Sequence, residues 1–211
     1  GPKWLILGRL DRVVIGELLS GRSRPLDAIG SSIGSWRHAA MAQPNPIQAY
    51  DRFEQAYLTQ HYASATPTVP EITEVAVWLM QTLLGDEGER HVAEHSWLRS
   101  HIVTARGRGL NGRQPGKCLI AGMAMAALGN AVSRGTLPAS FQRVVFASRS
   151  AEPLSPLFDG FDTRYIDLAE NNVFNALMAS GAIPYVFDGV YEIAGAGRGA
   201  FWDGGIIDYH F

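Results

Sequence analysis

Apolar positions recur at helical spacing from Trp4 to Leu19, with Arg9, Asp11, Arg12 and Glu17 between them. This period of about 3.6 residues predicts a first helix. Pro2 suits its opening turn, where a missing N–H removes no hydrogen bond, and Gly21 and Pro25 mark its end. The short apolar run 26–31 reads as a buried strand. A helix follows over 35–42 and is ended by Pro44 and Pro46. Residues 47–62 predict another helix, with Tyr50, Phe53, Tyr57 and Leu58 forming a face, and 64–70 is a polar, proline-bearing linker. The 71–84 stretch is apolar almost all round, as expected of a core helix. Further strands are expected at 101–105, 141–147, 164–168 and around Phe201-Trp202. Helices are expected at 172–180 and at 117–132, whose many small residues suit close packing on a sheet.

Strands alternating with helices predict an α/β fold, a sandwich with a mostly parallel sheet between helical layers. At 211 residues the chain suits one domain over 1–211, with 47–116 as a helical elaboration. A chain that is 46% hydrophobic and 18% charged is globular, and its net charge of −2 gives no electrostatic case for nucleic acid. The single cysteine, Cys118, can form no internal disulfide, which fits a reducing, cytoplasmic compartment. The chain opens on Gly1-Pro2-Lys3 and closes just after an apolar stretch at Tyr209-His210-Phe211. Both ends read as cut from a longer protein, and Gly1-Pro2 reads equally as native chain or as a cleavage scar.

The stretch with most chemical content is Gly30-Ser31-Ser32-Ile33-Gly34. Gly-x-Ser-x-Gly between a strand and a helix is the pattern of a nucleophile elbow. Small residues flank the serine so that strand and helix can approach closely, and the helix N-terminus aims N–H groups at a forming oxyanion. The same five residues also fill ordinary turns, so the pattern alone leaves both readings open. Asp203-Gly204-Gly205 lies at a predicted strand end, where two glycines let the backbone turn beside a reacting group; alone, it reads as a plain Asp-Gly turn.

Other motifs point to bland roles. Gly107-Arg108-Gly109-Leu110-Asn111-Gly112 matches a dinucleotide loop in letters. However, Pro115 separates it from the next helix and no acidic residue follows at the ribose-binding distance, so a flexible surface loop is expected. His91 and His95 can share a helix face, but they lack both the glutamate of His-Glu-x-x-His and a third ligand; no metal or other cofactor is expected. Cys118, in an apolar helix, reads as a buried structural thiol.

In combination, three segments resemble the patatin-like phospholipase family. They are Gly30-x-Ser32-x-Gly34, then Ala176-Leu177-Met178-Ala179-Ser180-Gly181-Ala182-Ile183-Pro184-Tyr185-Val186-Phe187, then Asp203-Gly204-Gly205, in the family's order. The resemblance spans most of the chain and is weakest from about Tyr50 to Gly116. It implies a patatin-like three-layer α/β/α sandwich and a serine acyl hydrolase that cleaves lipid or phospholipid acyl esters. Ser32 would be the nucleophile that carries the acyl-enzyme and Asp203 the general base, with peripheral membrane contact implied by the substrate. The N–H of Ile33 would be one oxyanion donor. The family's first strand and glycine-rich loop are represented only by Gly1-Pro2-Lys3, which leaves Gly1 and Lys3 as the remaining donors, since Pro2 has no N–H. Two alternatives stay open: a Ser-His-Asp esterase using His210, with Asp208 a spare carboxylate, and a catalytically silent lipid-binding or scaffold domain.

Overall fold

The computed structural model describes residues 2–113, 115–149, 151 and 161–208, apart from the side chains of Pro2 and Lys3. Helix α1 (Pro2–Val13) continues into a wider π turn at Val14–Leu18. Strand β1 (Leu26–Gly30) leads through Ser31-Ser32 into α2 (Ile33–Met41). Pro46 opens α3 (Pro46–Thr59), where the Asn45 side chain accepts from the Gln48 N–H. Helix α4 (Val69–Leu84) begins with a reciprocal capping box between Thr68 and Glu71 and stops at Gly85, which has φ 65°. After α5 (Gly88–Ala93) come β2 (Leu98–Gly107), α6 (Lys117–Val132), α7 (Leu137–Ser140), β3 (Phe141–Ala147), β4 (Thr163–Asp167), α8 (Glu170–Ser180), β5 (Val190–Ile193) and β6 (Gly197–Asp203).

The chain is therefore mixed α/β, but the sheet is not mostly parallel as the alternation of elements suggested. β1 pairs with β2 and β3 with β4 in parallel, whereas β2–β3, β2–β6 and β5–β6 are antiparallel. The reason lies in the connections. Helices α6 and α7 carry the chain back so that β3 runs against β2, and β5 joins β6 through the short turn Ala194-Gly195-Ala196, with Gly195 at φ 82°. A hairpin of that length can only be antiparallel. Within the stretch 47–116, α3, α4 and α5 are helices, and 98–107 is the strand on which β1, β3 and β6 all pair.

Helices cover both faces of the sheet. One face carries Ile102, Val144, Phe146 and Phe201, packed with residues of α2, α3, α4 and α8. Trp4 anchors α1 to this cluster, fully buried between Tyr50 and Phe53 at ring separations of 4.7 and 4.2 Å. Side chains of this size each contribute about 1.5–3 kcal/mol on burial, so the aromatic cluster is a main support of the layer that holds α2. By strand alternation, Ala105 and Trp202 face the other way, where Leu119 and Ala126 of α6 and Leu137 of α7 pack on them.

The register of β2 brings two strand ends together. β3 occupies one edge of β2 along 101–107, so β1, paired at 98–102, and β6, paired at 104–106, must share the other edge. β1 runs with β2 and β6 against it, and their C-terminal ends meet head-on at Val103.

Candidate active site

Gly30 pairs with Ile102 and Asp203 with Thr104. The two strand ends are thus two residues apart along β2, about 7 Å. The Asp203-Gly204 turn touches the elbow directly. A Cβ placed on Gly204 would stand 2.5 Å from the Val103 carbonyl oxygen and 3.0 Å from Ser31 Cβ, so only glycine allows the approach. Sequence separation between Ser32 and Asp203 is closed by this one junction.

Ser32 has φ 53° and ψ −133°, a backbone conformation that residues other than glycine rarely adopt. Such strain costs about 1–3 kcal/mol and persists only where the surroundings over-determine it. Here they do. The Ser32 N–H donates to the Ser180 carbonyl at 2.8 Å and to Ser180 Oγ at 3.0 Å. The Ser35 hydroxyl donates to the Ser32 carbonyl at 2.7 Å, and the Gly34 N–H to the Ser31 carbonyl at 2.9 Å. Ser180 Oγ in turn donates to the Val103 carbonyl at 2.8 Å. The fully buried Ser180, last residue of α8, therefore ties the elbow to the point where β1 and β6 meet. Two residues on, the Ala182 carbonyl accepts the Asp203 N–H at 2.9 Å. One short segment holds both halves of the site.

Gly30 is required by packing. A Cβ there would lie 2.6 Å from Ser35 N and 2.7 Å from the Gly34 carbonyl carbon, backbone atoms that cannot rotate aside. Gly30→Ala is expected to destabilise the protein by about 1–3 kcal/mol through overpacking and to displace the elbow, read as a lower denaturation midpoint. Gly34 differs from expectation: no atom lies within 4 Å of its Cβ position, so close approach of strand and helix does not demand it. The Ile33 N–H opens α2 and has no hydrogen-bond acceptor among the described residues. It stands at the positive end of the helix, beside Ser32. Lys3 lies in the first turn of α1, where backbone N–H groups lack intrahelical acceptors; Gly1 lies outside the described residues.

Asp203 is buried, and its Oδ1 accepts the Gly205 N–H at 2.7 Å, which fixes the turn. No hydrogen bond of the Ser32 hydroxyl is found among the described residues. His210 lies outside them. Asp208 is not a spare carboxylate. Arg143, itself 1% exposed, donates from Nε to Asp208 Oδ2 at 2.6 Å and from Nη2 to Oδ1 at 2.9 Å, and Arg134 adds a bond of 2.7 Å to Oδ1. This buried pair ties the turn after Asp203 to β3.

His38, unforeseen in sequence, sits behind the elbow. Its Nδ1 is 3.2 Å from Ser100 Oγ, and its Nε2 lies 3.0 Å from the Gly30 Cβ position. Burial, with the nearby charges of His101 and Arg37, holds its pKa down at about 3. The imidazole is neutral in the folded protein at neutral pH, whereas the unfolded chain takes up a proton below about 6.5. Its contribution to stability is therefore full above pH 6.5 and is lost as the pH falls toward 3. NMR titration is expected to show no protonation of His38 between pH 7 and 5, with a denaturation midpoint that falls over the same range.

The remaining motifs resolve as packing. The Gly107–Gly112 loop is a tight turn rather than a free one: a Cβ on Gly107 would lie 2.0 Å from the Asn111 carbonyl oxygen, and that oxygen accepts the Trp202 indole N–H at 3.0 Å. His95 Nδ1 accepts the Leu98 N–H at 3.0 Å, and no group of three or more metal-ligating side chains occurs among the described residues. A cavity of about 830 Å³ lined by Met41, His91 and Trp97 lies at the other end of β1 from Ser32. Cys118 is exposed, not buried. No helix among the described residues is long and apolar enough to cross a membrane. No family model, curated protein or solved structure matches the chain.

Proposed function

We propose that the protein is a serine acyl hydrolase of the patatin-like type, acting on lipid or phospholipid acyl esters. The observation that carries this is the strained, positive-φ Ser32 at a strand-to-helix turn, tied through Ser180 to the same strand junction as Asp203. Strain held this firmly is a feature of functional turns. The patatin-like form of the three-layer fold, here without the family's first strand and most of its glycine-rich loop, belongs to the same proposal.

In this reading Ser32 Oγ attacks the ester carbonyl while its proton passes to the Asp203 carboxylate. Negative charge collects on the carbonyl oxygen, where the Ile33 N–H and the start of α2 stabilise it; Gly1 and Lys3 are the further donors proposed from the sequence. Collapse expels the alcohol, which takes the proton from Asp203, and leaves the acyl group on Ser32. Water then attacks the acyl carbonyl, its proton goes to Asp203, and release of the acid returns a proton to Ser32. Asp203 is buried, so a proton exchanged with Ser32 would pass at a site screened from bulk water. Gly204 lets the turn after Asp203 pack against Ser31 and the Val103 carbonyl, and the Gly205 N–H orients the carboxylate.

The test compares Asp203→Asn with His210→Ala in hydrolysis of a short-chain p-nitrophenyl ester. Loss in the first with activity retained in the second supports the dyad. Loss in His210→Ala equal to that of Ser32→Ala favours a triad, and no Ser32-dependent hydrolysis by the parent chain favours a silent lipid-binding domain.

A further inference from the structure

Helix α6 is apolar on every side, yet only Leu119, Gly122 and Ala126 are buried. At about 100° per residue, every exposed position except Asn130 falls on one contiguous half of the helix. Ile120, Met125, Leu128 and Val132 lie there at 56%, 65%, 71% and 87% exposure, with Ala124 and Ala131 between them. A helix apolar all round is ordinarily buried on all sides. This one rests a single side on the sheet and presents the other outward.

Charge identifies what suits that face. Residues 118–133 carry no charged side chain, and Lys117 and Arg134 bracket them. Between Glu94 and Glu152 there is no Asp or Glu; of the eight Lys and Arg there, Arg99, Arg108, Arg134 and Arg143 pair with carboxylates elsewhere in the chain, and Arg113 and Lys117 precede or open the helix. Lys117 falls on the exposed half, at its N-terminal end, and neither it nor Arg113 makes an ion pair among the described residues. An apolar strip with cations at its margin, on a helix of 16 residues that is too short to span a bilayer, is the arrangement that lies flat in an anionic interface. A second copy of the chain fits less well, because it would bring the same cations to the shared face without carboxylates to meet them.

We infer that the exposed half of α6 docks the protein on anionic lipid bilayers, with Ile120, Met125, Leu128 and Val132 entering the acyl boundary and Lys117 and Arg113 meeting the headgroups. The same packing cluster that seats α6 on the sheet includes Ala182 and Ile207, which flank the Asp203 turn. The surface stands on its own exposure and charge, independently of whether Ser32 reacts.

Co-sedimentation with vesicles tests it. The full chain is expected to pellet with phosphatidylcholine vesicles containing phosphatidylserine and to stay in solution with phosphatidylcholine alone, with binding that weakens as salt is added. Met125→Asp/Leu128→Asp, on exposed positions, should abolish binding with an unchanged circular dichroism spectrum. Arg113→Gln/Lys117→Gln should weaken it about thirtyfold. Ser32→Ala should bind as the parent does, which separates docking from hydrolysis. Failure of the parent to pellet at low salt, equal binding by Met125→Asp/Leu128→Asp, or a dimer in solution that this variant dissociates would each overturn the inference.

Discussion

Ser32→Ala is expected to lower hydrolysis of a p-nitrophenyl ester by about 10⁴-fold or more, to the level left by binding and oxyanion contacts alone. The fold should survive, because every hydrogen bond that holds residue 32 comes from its backbone: the N–H to Ser180 and the carbonyl from the Ser35 hydroxyl. The backbone at this position makes a second, independent readout available. Alanine keeps the strain of φ 53°, whereas glycine relieves it. Ser32→Gly should therefore be the more stable of the two inactive variants, by about 1–2 kcal/mol in denaturant melts. A site that loses activity and gains stability on one substitution is the signature expected of strain kept for function. Equal stability of the alanine and glycine variants would argue that the turn is not strained.

The largest expected effect on stability lies at Arg143. Its guanidinium is buried and, among the described residues, donates twice to Asp208 and once to Thr163 Oγ1 at 2.9 Å, and it lies 5.1 Å from the Phe161 ring centre. Arg143→Ala leaves the Asp208 carboxylate buried without its main partner, which typically costs about 3–5 kcal/mol. Domains of this size are stable by only about 5–15 kcal/mol, so much of the margin is consumed. Removing both charges together is expected to cost far less: Arg143→Met/Asp208→Leu should recover most of the lost denaturation midpoint. The pair is better understood as fixing the 204–208 turn than as supplying net stability. If the double variant is no more stable than Arg143→Ala, the penalty comes from lost packing rather than from an orphaned charge.

The elbow was legible in sequence because its determinants are local. An apolar run, two glycines around a serine and a following helical period are enough to predict β1, the turn and α2, and the structure has all three. The role of the 176–187 segment was not legible as chemistry. Its letters suggested a resemblance, but only the fold reveals that Ser180 bonds the Ser32 N–H and the Val103 carbonyl, and that the Ala182 carbonyl holds Asp203. These are contacts across 148 residues in the case of Ser32 and Ser180, which no local period encodes. Sheet direction escaped for a similar reason. It depends on how α6 and α7 return the chain and on β5, whose four residues carry too little pattern to stand out. Asp208 looked available until Arg143, far away in sequence, proved to be its partner. Helix α6 is the opposite case: the helix is plain in sequence, but with apolar residues on every side its periodicity does not say which face is buried, and Cys118, expected in the core, is exposed.

Reaction of the chain with a fluorophosphonate probe, followed by peptide mass spectrometry, tests the central claim most directly, since it reads the nucleophile without knowledge of the substrate. A covalent adduct on Ser32, lost in Ser32→Ala and strongly slowed in Asp203→Asn, is the expected result. Absence of any adduct on Ser32 in the folded parent chain, or labelling that proceeds equally fast in Asp203→Asn, would contradict it.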